Sequence, residues 1–510
     1  MRKTCVVAVD LVDVWASPGR KTLMRTLAWG DEVVITKESA SQLEVETVYF
    51  NEQPDGSILP TKVKGYIEPR VSSKLKATSL VKPKAQNDVL KVNFVDVQQG
   101  DGSVIEAPDG TVILVDGGDN QLFARYLAGR FRGTSLAKPK KIDCILVTHG
   151  DADHFVGLPE IQASETNTEA RKRLFIAPKR IYHNGLVKRP GTVNGRKTKD
   201  LDLLGPTKVV DGQTYLTGLE SNLLAVPDAE LNEPFLKWKA TLATYNARSK
   251  LTFRRLQFGD TEAFKFFNTD DLRIEVLGPL VTTLSGKPAL PFLGDPPKGP
   301  RLGHESIDVD NTPFKGHSAS HTINGHSVVF RLTYGGYSYL FAGDLNDQAS
   351  RFLTREHNAG RVNLRSEVFK VPHHGSADFS GAMFQAVSPV VSVVSSGDEP
   401  RKVHPSGHVD EGAGQVVARA GAADLRDRAG GVLWRRGLLE AGPSEDRRSR
   451  RRAASSSASA VRVRPGQDPH KRPAPVRPPP TATSPQRRAT PTSSTVRACG
   501  ARAGGPRLTL

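Results

Sequence analysis

The sequence predicts an α/β fold built from layers of sheet and helix, preceded by a small all-β barrel and followed by a disordered tail. A chain of 510 residues is too long for one ordinary domain. Residues 89–410 alternate apolar strand-like runs with helical segments, which is typical of α/β layers. Residues 1–72 contain short β-type runs, and residues 411–510 lose most large apolar residue types, so both differ from the middle part.

Residues 1–72 are predicted to form the barrel because their β-type runs are short and separated by Gly, Pro, Asn and Asp. The stretches VWASPG, LAWGDEVVI and VKGYIEP resemble a bacterial SH3-like domain, which implies a peptide or protein ligand. The alternative is an additional β layer on the main domain. A polar linker is predicted over residues 73–88. The β-type runs are Thr4–Val9, Glu32–Lys37, Leu43–Phe50 and Lys62–Ile67.

The formal net charge of +17 is located mainly in the tail. Residues 411–510 contain 19 Arg and 1 Lys against 7 acidic side chains, whereas the other 410 residues contain 51 basic and 47 acidic ones. The folded part is therefore nearly balanced, and its overall charge does not argue for nucleic-acid binding.

The tail also contains no Ile, Phe, Tyr, Asn or Met. Such a composition buries too little apolar surface to offset the entropy of ordering, which predicts disorder. Two origins remain open. The tail is either a natural basic linker or RNA-binding segment, or the product of a GC-rich gene read in a shifted frame from about Glu411. The second origin explains why residue types with AT-rich codons are missing.

The composition indicates a soluble cytoplasmic protein with no membrane partner. No apolar run reaches the roughly 18–20 residues that span a bilayer. The apolar stretch near the N-terminus is interrupted by Asp10 and Asp13 before it could serve as a signal peptide. Cys5, Cys144 and Cys499 are too widely spaced for a disulfide framework or a zinc knuckle, which favours a reducing compartment.

The main domain begins with a regular alternation of strands and turns. Leu90–Gly118 predicts three strands, with Asp109-Gly110 as a hairpin signal, and Gln121–Phe131 predicts a helix. The apolar strand Ile145–Val147 then leads directly into the loop THGDADH. A long polar insertion is predicted between Gln162 and Ser320.

This loop carries four potential metal ligands within six residues: His149, Asp151, Asp153 and His154. Imidazole together with carboxylate suits a divalent transition metal such as zinc or manganese. A strand end followed by a tight turn can aim alternate side chains in opposite directions. We therefore expect His149 and Asp151 to serve one ion, and Asp153 and His154 a second. The alternative is a polar cluster that caps the following helix, which would need only one Asp.

The order of motifs along the chain resembles that of the metallo-β-lactamase-fold hydrolases. The pattern H-x-D-x-D-H, with Asp at the second ligand position, looks like the branch that contains the hydrolase domain of ComEC-type competence proteins. The resemblance implies a four-layer αββα sandwich with a dinuclear site of two divalent ions at one edge of the sheets. Its motifs are NFVDVQQGDGSVIE, LVDGG, NGHSVVFRLTYGGYSYLFAGDL, FKVPHHGSADFS and VVSVVSSGDEPRKVHPS.

The later motifs place further candidates after apolar strands. Asp344 is expected to bridge the two ions. His373 and His374 come just after the apolar strand in the motif FKVPHHGSADFS. Only one of this pair needs to bind metal, while the other could protonate a leaving group or hold a phosphate. We assign catalytic roles to Asp153, His374 and His404. Ser376 is a candidate for binding substrate oxygens.

Two supporting positions have alternatives. Better-known members of the family supply a third histidine to the first ion, and this segment offers His317, His321 and His326. The resembled branch has Asn at the aligned place, which Asn324 fits, so the first ion is expected to be held more weakly. Asp116 is predicted to orient a ligand histidine, with a turn role as the alternative.

These observations predict a metal-dependent hydrolase that acts on a phosphodiester, with DNA or RNA as candidate substrates. Basic residues in the segment Arg171–Lys197 of the insertion suit a polyanion, although an ordinary solvated surface has the same composition. The alternatives are hydrolysis of a lactone or thioester at the same site, and a non-catalytic metal-binding signalling module.

Overall fold

The computed structural model describes residues 2–9, 11–52, 58–69, 75–295, 316–376, 380–395 and 458–463. The N-terminal unit is all-β. Its strands form one antiparallel sheet in the order β3-β2-β6-β5-β4-β1-β7, with a core of its own. The strands are β1 (Lys3–Val7), β2 (Leu11–Trp15), β3 (Leu23–Ala28), β4 (Glu32–Glu38), β5 (Leu43–Glu52), β6 (Ile58–Ile67) and β7 (Val81–Pro83).

Part of the predicted linker belongs to this first unit. Ala77 and Leu80 are buried in its core, and β7 pairs with β1. The separate core argues against an added β layer on the main domain, while the SH3-like resemblance stays a prediction. The buried Lys91 joins the two parts because its Nζ donates to Gly30 O at 3.0 Å and pairs with Asp31 at 3.1 Å.

The main domain contains two large sheets and several small ones. Its strands are β8 (Leu90–Val95), β9 (Gly102–Glu106), β10 (Val112–Asp116), β11 (Lys140–Ile142), β12 (Cys144–Leu146), β13 (Ile176–Pro178), β14 (Arg180–His183), β15 (Thr192–Val193), β16 (Arg196–Lys197), β17 (Thr207–Val210), β18 (Gln213–Leu216), β19 (Thr252–Arg255), β20 (Leu272–Gly278), β21 (Thr282–Leu284), β22 (Lys287–Pro291), β23 (Val329–Tyr334), β24 (Tyr337–Phe341), β25 (Val368–Lys370), β26 (Val391–Val393) and β27 (Ala458–Val463).

Helices cover the outer face of each large sheet. The helices of the main domain among the described residues are α1 (Leu122–Arg130), α2 (Ala152–Phe155), α3 (Gly157–Ala163), α4 (Asp200–Leu203), α5 (Glu233–Ser249), α6 (Ala319–Gly325), α7 (Asp347–Asn358) and α8 (Gly381–Val387). Residues of α1, α3 and α5 form one apolar cluster with the first sheet, and residues of α7 and α8 form another with the second. None of the helices in the described ranges is long and apolar enough to cross a bilayer.

The two large sheets pack face to face between these helices. The first has the order β19-β14-β12-β10-β9-β8-β27 and the second has the order β20-β23-β24-β25-β26. Phe94 of the first sheet stacks on Phe341 of the second with ring centroids 5.6 Å apart, within a cluster to which both sheets contribute. The layering is consistent with the predicted αββα sandwich, because each sheet buries one face against the other and one against helices.

Residues 458–463 differ from the expected disorder of the tail. They form β27, which pairs antiparallel with β8 from Ala458 opposite Val95 to Val463 opposite Leu90. An edge strand exposes unpaired backbone N–H and C=O groups, and β8 therefore offers a template for a short extended segment. The prediction of disorder does not hold for these six residues. Residues 411–457 and 464–510 lie outside the described residues.

The insertion adds a small sheet beside the main layers. Strands β17, β18, β22 and β21 form it, in that order. Its buried residues Leu216, Leu290 and Phe292 pack with Ile323 of α6, so α6 is held between this sheet and the rest of the domain. The insertion therefore reaches the edge of the sandwich where the predicted ligands are found.

Candidate metal centre

Polar side chains converge at one edge of the two sheets, where neighbouring strands end. Asp116 is the last residue of β10, and His149 follows β12, its parallel neighbour. On the second sheet, Asp344 follows β24, and His373 and His374 follow the parallel β25. Because parallel neighbours end at the same edge of a sheet, residues far apart in sequence become neighbours here.

The predicted ligand loop wraps into the short helix α2. Asp151 is the residue before α2, and Asp153 and His154 lie within it. Gly100 packs directly against this helix with a φ of 93°, and a Cβ at this position would lie 1.7 Å from Asp153 O. Only glycine permits this contact, which fixes α2 against the loop between β8 and β9.

Asp344 lies at the centre of the cluster. Its carboxylate oxygens are 3.1 Å from His154 Nε2, 3.3 Å from His374 Nε2 and 3.9 Å from His149 Nε2. His374 Nε2 also lies 3.4 Å from Asp153 Oδ2. Five of the predicted ligands thus face one another, and the groups His149–His154–Asp344 and Asp153–His154–His374 each have ligand atoms within 4.8 Å.

Several of these atoms have no other use in the fold. His149 Nε2, His154 Nε2, His374 Nε2 and Asp344 Oδ1 are buried and make no hydrogen bond of acceptable geometry to any described residue. Leaving a buried polar atom unsatisfied costs about 1–3 kcal/mol, so such a concentration needs an explanation. A divalent cation would satisfy all four atoms, and the mixed imidazole and carboxylate donors suit it.

Burial and mutual charge set the pKa values of the cluster in the absence of an ion. Burial lowers the pKa of His149 well below its ordinary value, and the neighbouring His154 acts in the same direction. Burial also lowers the pKa of His154, but Asp344 and Asp116 outweigh it and hold this pKa well above its ordinary value. Burial raises the pKa of Asp344, yet His154 and His374 outweigh it and hold this pKa well below its usual range.

Asp116 is placed behind the cluster, where it can orient a ligand. His154 Nδ1 lies 2.9 Å from Asp116 Oδ2, so the opposite nitrogen, Nε2, is turned towards Asp344. Thr148 holds the carboxylate in place, since its N–H and Oγ1 both donate to Asp116 at 2.7 Å. This geometry agrees with the orienting role predicted for Asp116.

Sequence reasoning missed a second supporting pair. Asp101 Oδ1 lies 3.4 Å from His374 Nδ1 and 2.8 Å from Lys370 Nζ. Both Asp101 and Lys370 are almost fully buried. The sequence did contain a signal for this pair, because each residue is a charged residue within a site motif, Asp101 in QQGDG and Lys370 in FKVPHH. Asp101 thus lies beside Nδ1 of His374 as Asp116 lies beside Nδ1 of His154, but at a longer distance and without a hydrogen bond of acceptable geometry.

The two adjacent histidines differ in position. His374 is buried among the ligand atoms, whereas the side chain of His373 is 22% exposed and its Nε2 lies 4.0 Å from Asp344 Oδ2. Both have left-handed backbone conformations, with φ of 50° and 53°. Such strain in non-glycine residues, about 1–3 kcal/mol each, is characteristic of functional sites. Ser376 follows this turn, its N–H donating to His373 O. His404 lies outside the described residues.

The histidines preceding the Gly-Asp strand are not equivalent. His317 pairs with Thr214 at 3.0 Å, and His326 Nε2 lies 2.8 Å from Pro291 O, so both are engaged away from the cluster. His321 and Asn324 face it from α6. That Asn324 takes the aligned place of the third histidine stays a prediction.

A cavity of about 320 Å³ opens onto the cluster. Asp151 lines it but lies in none of the close groups of ligand atoms among the described residues, and Lys188 of the insertion pairs with its carboxylate. The described lining consists of Gln99, Asp151, Asp153, Ser318, Ser320, His321, Asn324, Asp344, His373 and His374.

Comparison with known proteins shows that part of this site is similar to a described family. Residues 95–180 match the model of the Metallo-beta-lactamase superfamily. The chain is 38% identical over 84 residues to Competence protein ComA of Neisseria gonorrhoeae, covering 16% of this chain and 12% of the relative. It is 31% identical over 83 residues to ComE operon protein 3 of Bacillus subtilis, covering 16% of this chain and 10% of that relative.

Over residues 95–180 the chain is thus similar to the Metallo-beta-lactamase superfamily, and it has weak similarity to competence proteins. The predicted resemblance is confirmed at this level. The matched stretch includes Asp116 and the ligand loop, whereas Asp344 and His374 join the site only through the fold.

Proposed function

We propose that this protein is a metal-dependent hydrolase that cleaves phosphodiester bonds in a nucleic acid. The observation that carries the proposal is the convergence of Asp153, His154, Asp344 and His374 around unsatisfied buried atoms at the floor of the cavity. When bound there, a divalent cation such as zinc or manganese would polarise a phosphoryl oxygen and make water nucleophilic near neutral pH.

The protein residues would divide the remaining work between them. Asp153, His154, Asp344 and His374 would hold the cation, with Asp116 orienting the imidazole of His154 and the charge of Asp101 facing that of His374. His373 stands at the mouth of the cavity with an exposed edge, where its imidazole can give a proton to the leaving oxygen. His149 faces Asp344 from the other side and belongs to the first of the two expected ion positions.

A basic hairpin favours a polymeric substrate. β15 and β16 form this hairpin. Arg196 and Lys197 on β16, and Lys199 shortly after it, are exposed with no carboxylate partner among the described residues. The segments before and after the hairpin both contact residues at the cavity. Before it, Lys188 pairs with Asp151, and after it, the carboxylate of Asp200 accepts a hydrogen bond from Ala319 N of α6 at 2.9 Å. Unpaired cations beside a catalytic cavity suit a phosphate backbone.

Cleavage specificity tests the bond type. We expect the full chain, supplied with manganese or zinc, to hydrolyse bis-p-nitrophenyl phosphate and single-stranded DNA or RNA, because the donors favour charge stabilisation on a phosphoryl group. The matched substrates are a homoserine lactone and an acyl thioester. Faster turnover of either would replace the phosphodiester proposal. Metal binding without turnover of any of them would favour a non-catalytic module.

Neutralising the hairpin should separate polymer binding from chemistry. We expect Arg196→Gln/Lys197→Gln/Lys199→Gln to raise KM for single-stranded DNA and to reduce the slope of log affinity against log salt by up to about 2, since each lost phosphate contact contributes about 0.7. Cleavage of the small reporter should stay unchanged. The control replaces Lys237, Lys265 and Arg273, which are exposed cations outside the hairpin. Equal effects of both variants would remove the hairpin from the binding surface.

A further inference from the structure

Asp151, one of the two ligands expected for the first ion, is already occupied by protein groups. Lys188 Nζ pairs with Asp151 Oδ1, and the amide of Asn324, in the orientation that satisfies it, donates to Asp151 Oδ2 at 2.9 Å. Asp151 lines the cavity, but its carboxylate belongs to none of the close groups of ligand atoms found among the described residues. The sequence pattern H-x-D-x-D-H gives no indication of this.

Lys188 is held in place by its own surroundings. The preceding residues Leu186 and Val187 are only 2% and 3% exposed. Lys188 O accepts from Asn232 N at 2.9 Å, and Arg189 N donates to Leu203 O at 2.8 Å. With both neighbouring peptides fixed, the backbone of Lys188 is anchored within reach of Asp151, with which its ammonium pairs.

The two expected ion positions are therefore unequal. Around the second position, Asp153, His154, Asp344 and His374 have no lysine or arginine partner among the described residues. At the first position, His149 Nε2 lies 3.9 Å from the carboxylate of Asp344, and the other expected ligand, Asp151, is paired with the ammonium of Lys188. A cation there must compete with Lys188 for Asp151. Its binding free energy is reduced by the free energy needed to break the charge-assisted hydrogen bond between these two residues.

We propose that Lys188 is a built-in competitor for the first ion position, so that the protein holds one divalent ion tightly and a second one weakly. The inference rests on the proposed metal site, but not on the identity of the substrate. It assigns to the insertion a control over metal stoichiometry. A hydrogen bond to a charged group corresponds to about a 10- to 100-fold change in affinity, which sets the expected effect of removing the competitor.

Titration of the metal-free full chain with Mn²⁺ tests this without any substrate. We expect the natural protein to bind one ion tightly and the next at least about 10-fold more weakly. Lys188→Met and Lys188→Gln should each strengthen the weaker step by about 10- to 100-fold and leave the tight step unchanged. Lys188→Arg, which keeps the charge, should retain the weak step.

The matched control is Lys179→Met. Lys179 is another lysine of the insertion, paired with Asp143 at 2.6 Å, away from the cavity. If one neutral variant fails to fold by circular dichroism, the other carries the same expectation. An unchanged or weakened second step in the Lys188 variants would overturn the proposal, because it would mean that Lys188 supports Asp151 as a ligand. Normal titration without hydrolysis of any substrate would instead defeat only the proposed function.

Discussion

Asp344→Asn should lower kcat/KM for a phosphodiester reporter by at least about 10³-fold, since the loss of a ligand that organises transition-state charge removes several kcal/mol of stabilisation. Asp344 is the residue that the other donors share, with His154, His374 and His149 within 3.1–3.9 Å of its oxygens. An amide keeps the size of the side chain but loses its charge and one acceptor. The same variant should therefore retain less metal after dialysis.

The control for this prediction is Asp270→Asn, an exposed aspartate in the turn before β20, which should keep full activity and metal content. Circular dichroism of Asp344→Asn should show an unchanged fold. The Asp344 N–H donates to Ser327 Oγ at 3.0 Å, and this contact does not depend on the carboxylate. Activity within a factor of a few of the natural protein would exclude Asp344 from the centre of the site.

The largest effect on stability is expected for Lys370→Met. Lys370 and Asp101 form an ion pair that is buried on both sides, with side chains 3% and 7% exposed and Nζ 2.8 Å from Oδ1. Burial raises the pKa of Asp101, but Lys370 and His374 outweigh it and hold this pKa below its usual range, so the carboxylate stays charged. Removing Lys370 leaves that charge without its main partner, which costs about 3–5 kcal/mol of unfolding free energy.

Urea denaturation of the metal-free chain measures this loss. The double variant Lys370→Met/Asp101→Asn should recover much of it, because the unpaired charge is removed together with its partner. Lys3→Met provides the comparison, since its ion pair with Glu38 is exposed and should have no measurable effect. A Lys370→Met protein as stable as the natural one would show that other groups already balance Asp101.

The ligand loop shows how much the sequence could determine. His149, Asp153 and His154 were identified because an apolar strand runs into them, and the structure places them at that strand's end. The strands Lys3–Val7 and Glu32–Glu38 and the helix Leu122–Arg130 lie within a few residues of their predicted ranges. Predictions of this kind succeed because the positions of strands and turns depend on hydrophobic periodicity and turn residues within a few neighbouring positions.

The sequence could not distinguish His373 from His374. The two residues are adjacent and follow the same strand, so either could bind the metal. Only the left-handed turn in the structure directs His374 towards Asp153 and Asp344.

The tail is a second feature that the sequence did not predict fully. Its composition predicted disorder, whereas residues 458–463 pair with the open edge of β8, a partner more than 360 residues away in sequence.

The sequence by itself determined which residue types lie at the strand ends and in what order, because local spacing fixes where a strand stops and which polar side chains follow. The tertiary structure alone decided which of these residues remain available to a cation. The pairing of Lys188 with Asp151 and of Lys370 with Asp101 joins segments 37 and 269 residues apart. Such contacts depend on how the insertion and the second sheet fold back onto the loop, and no local pattern records that.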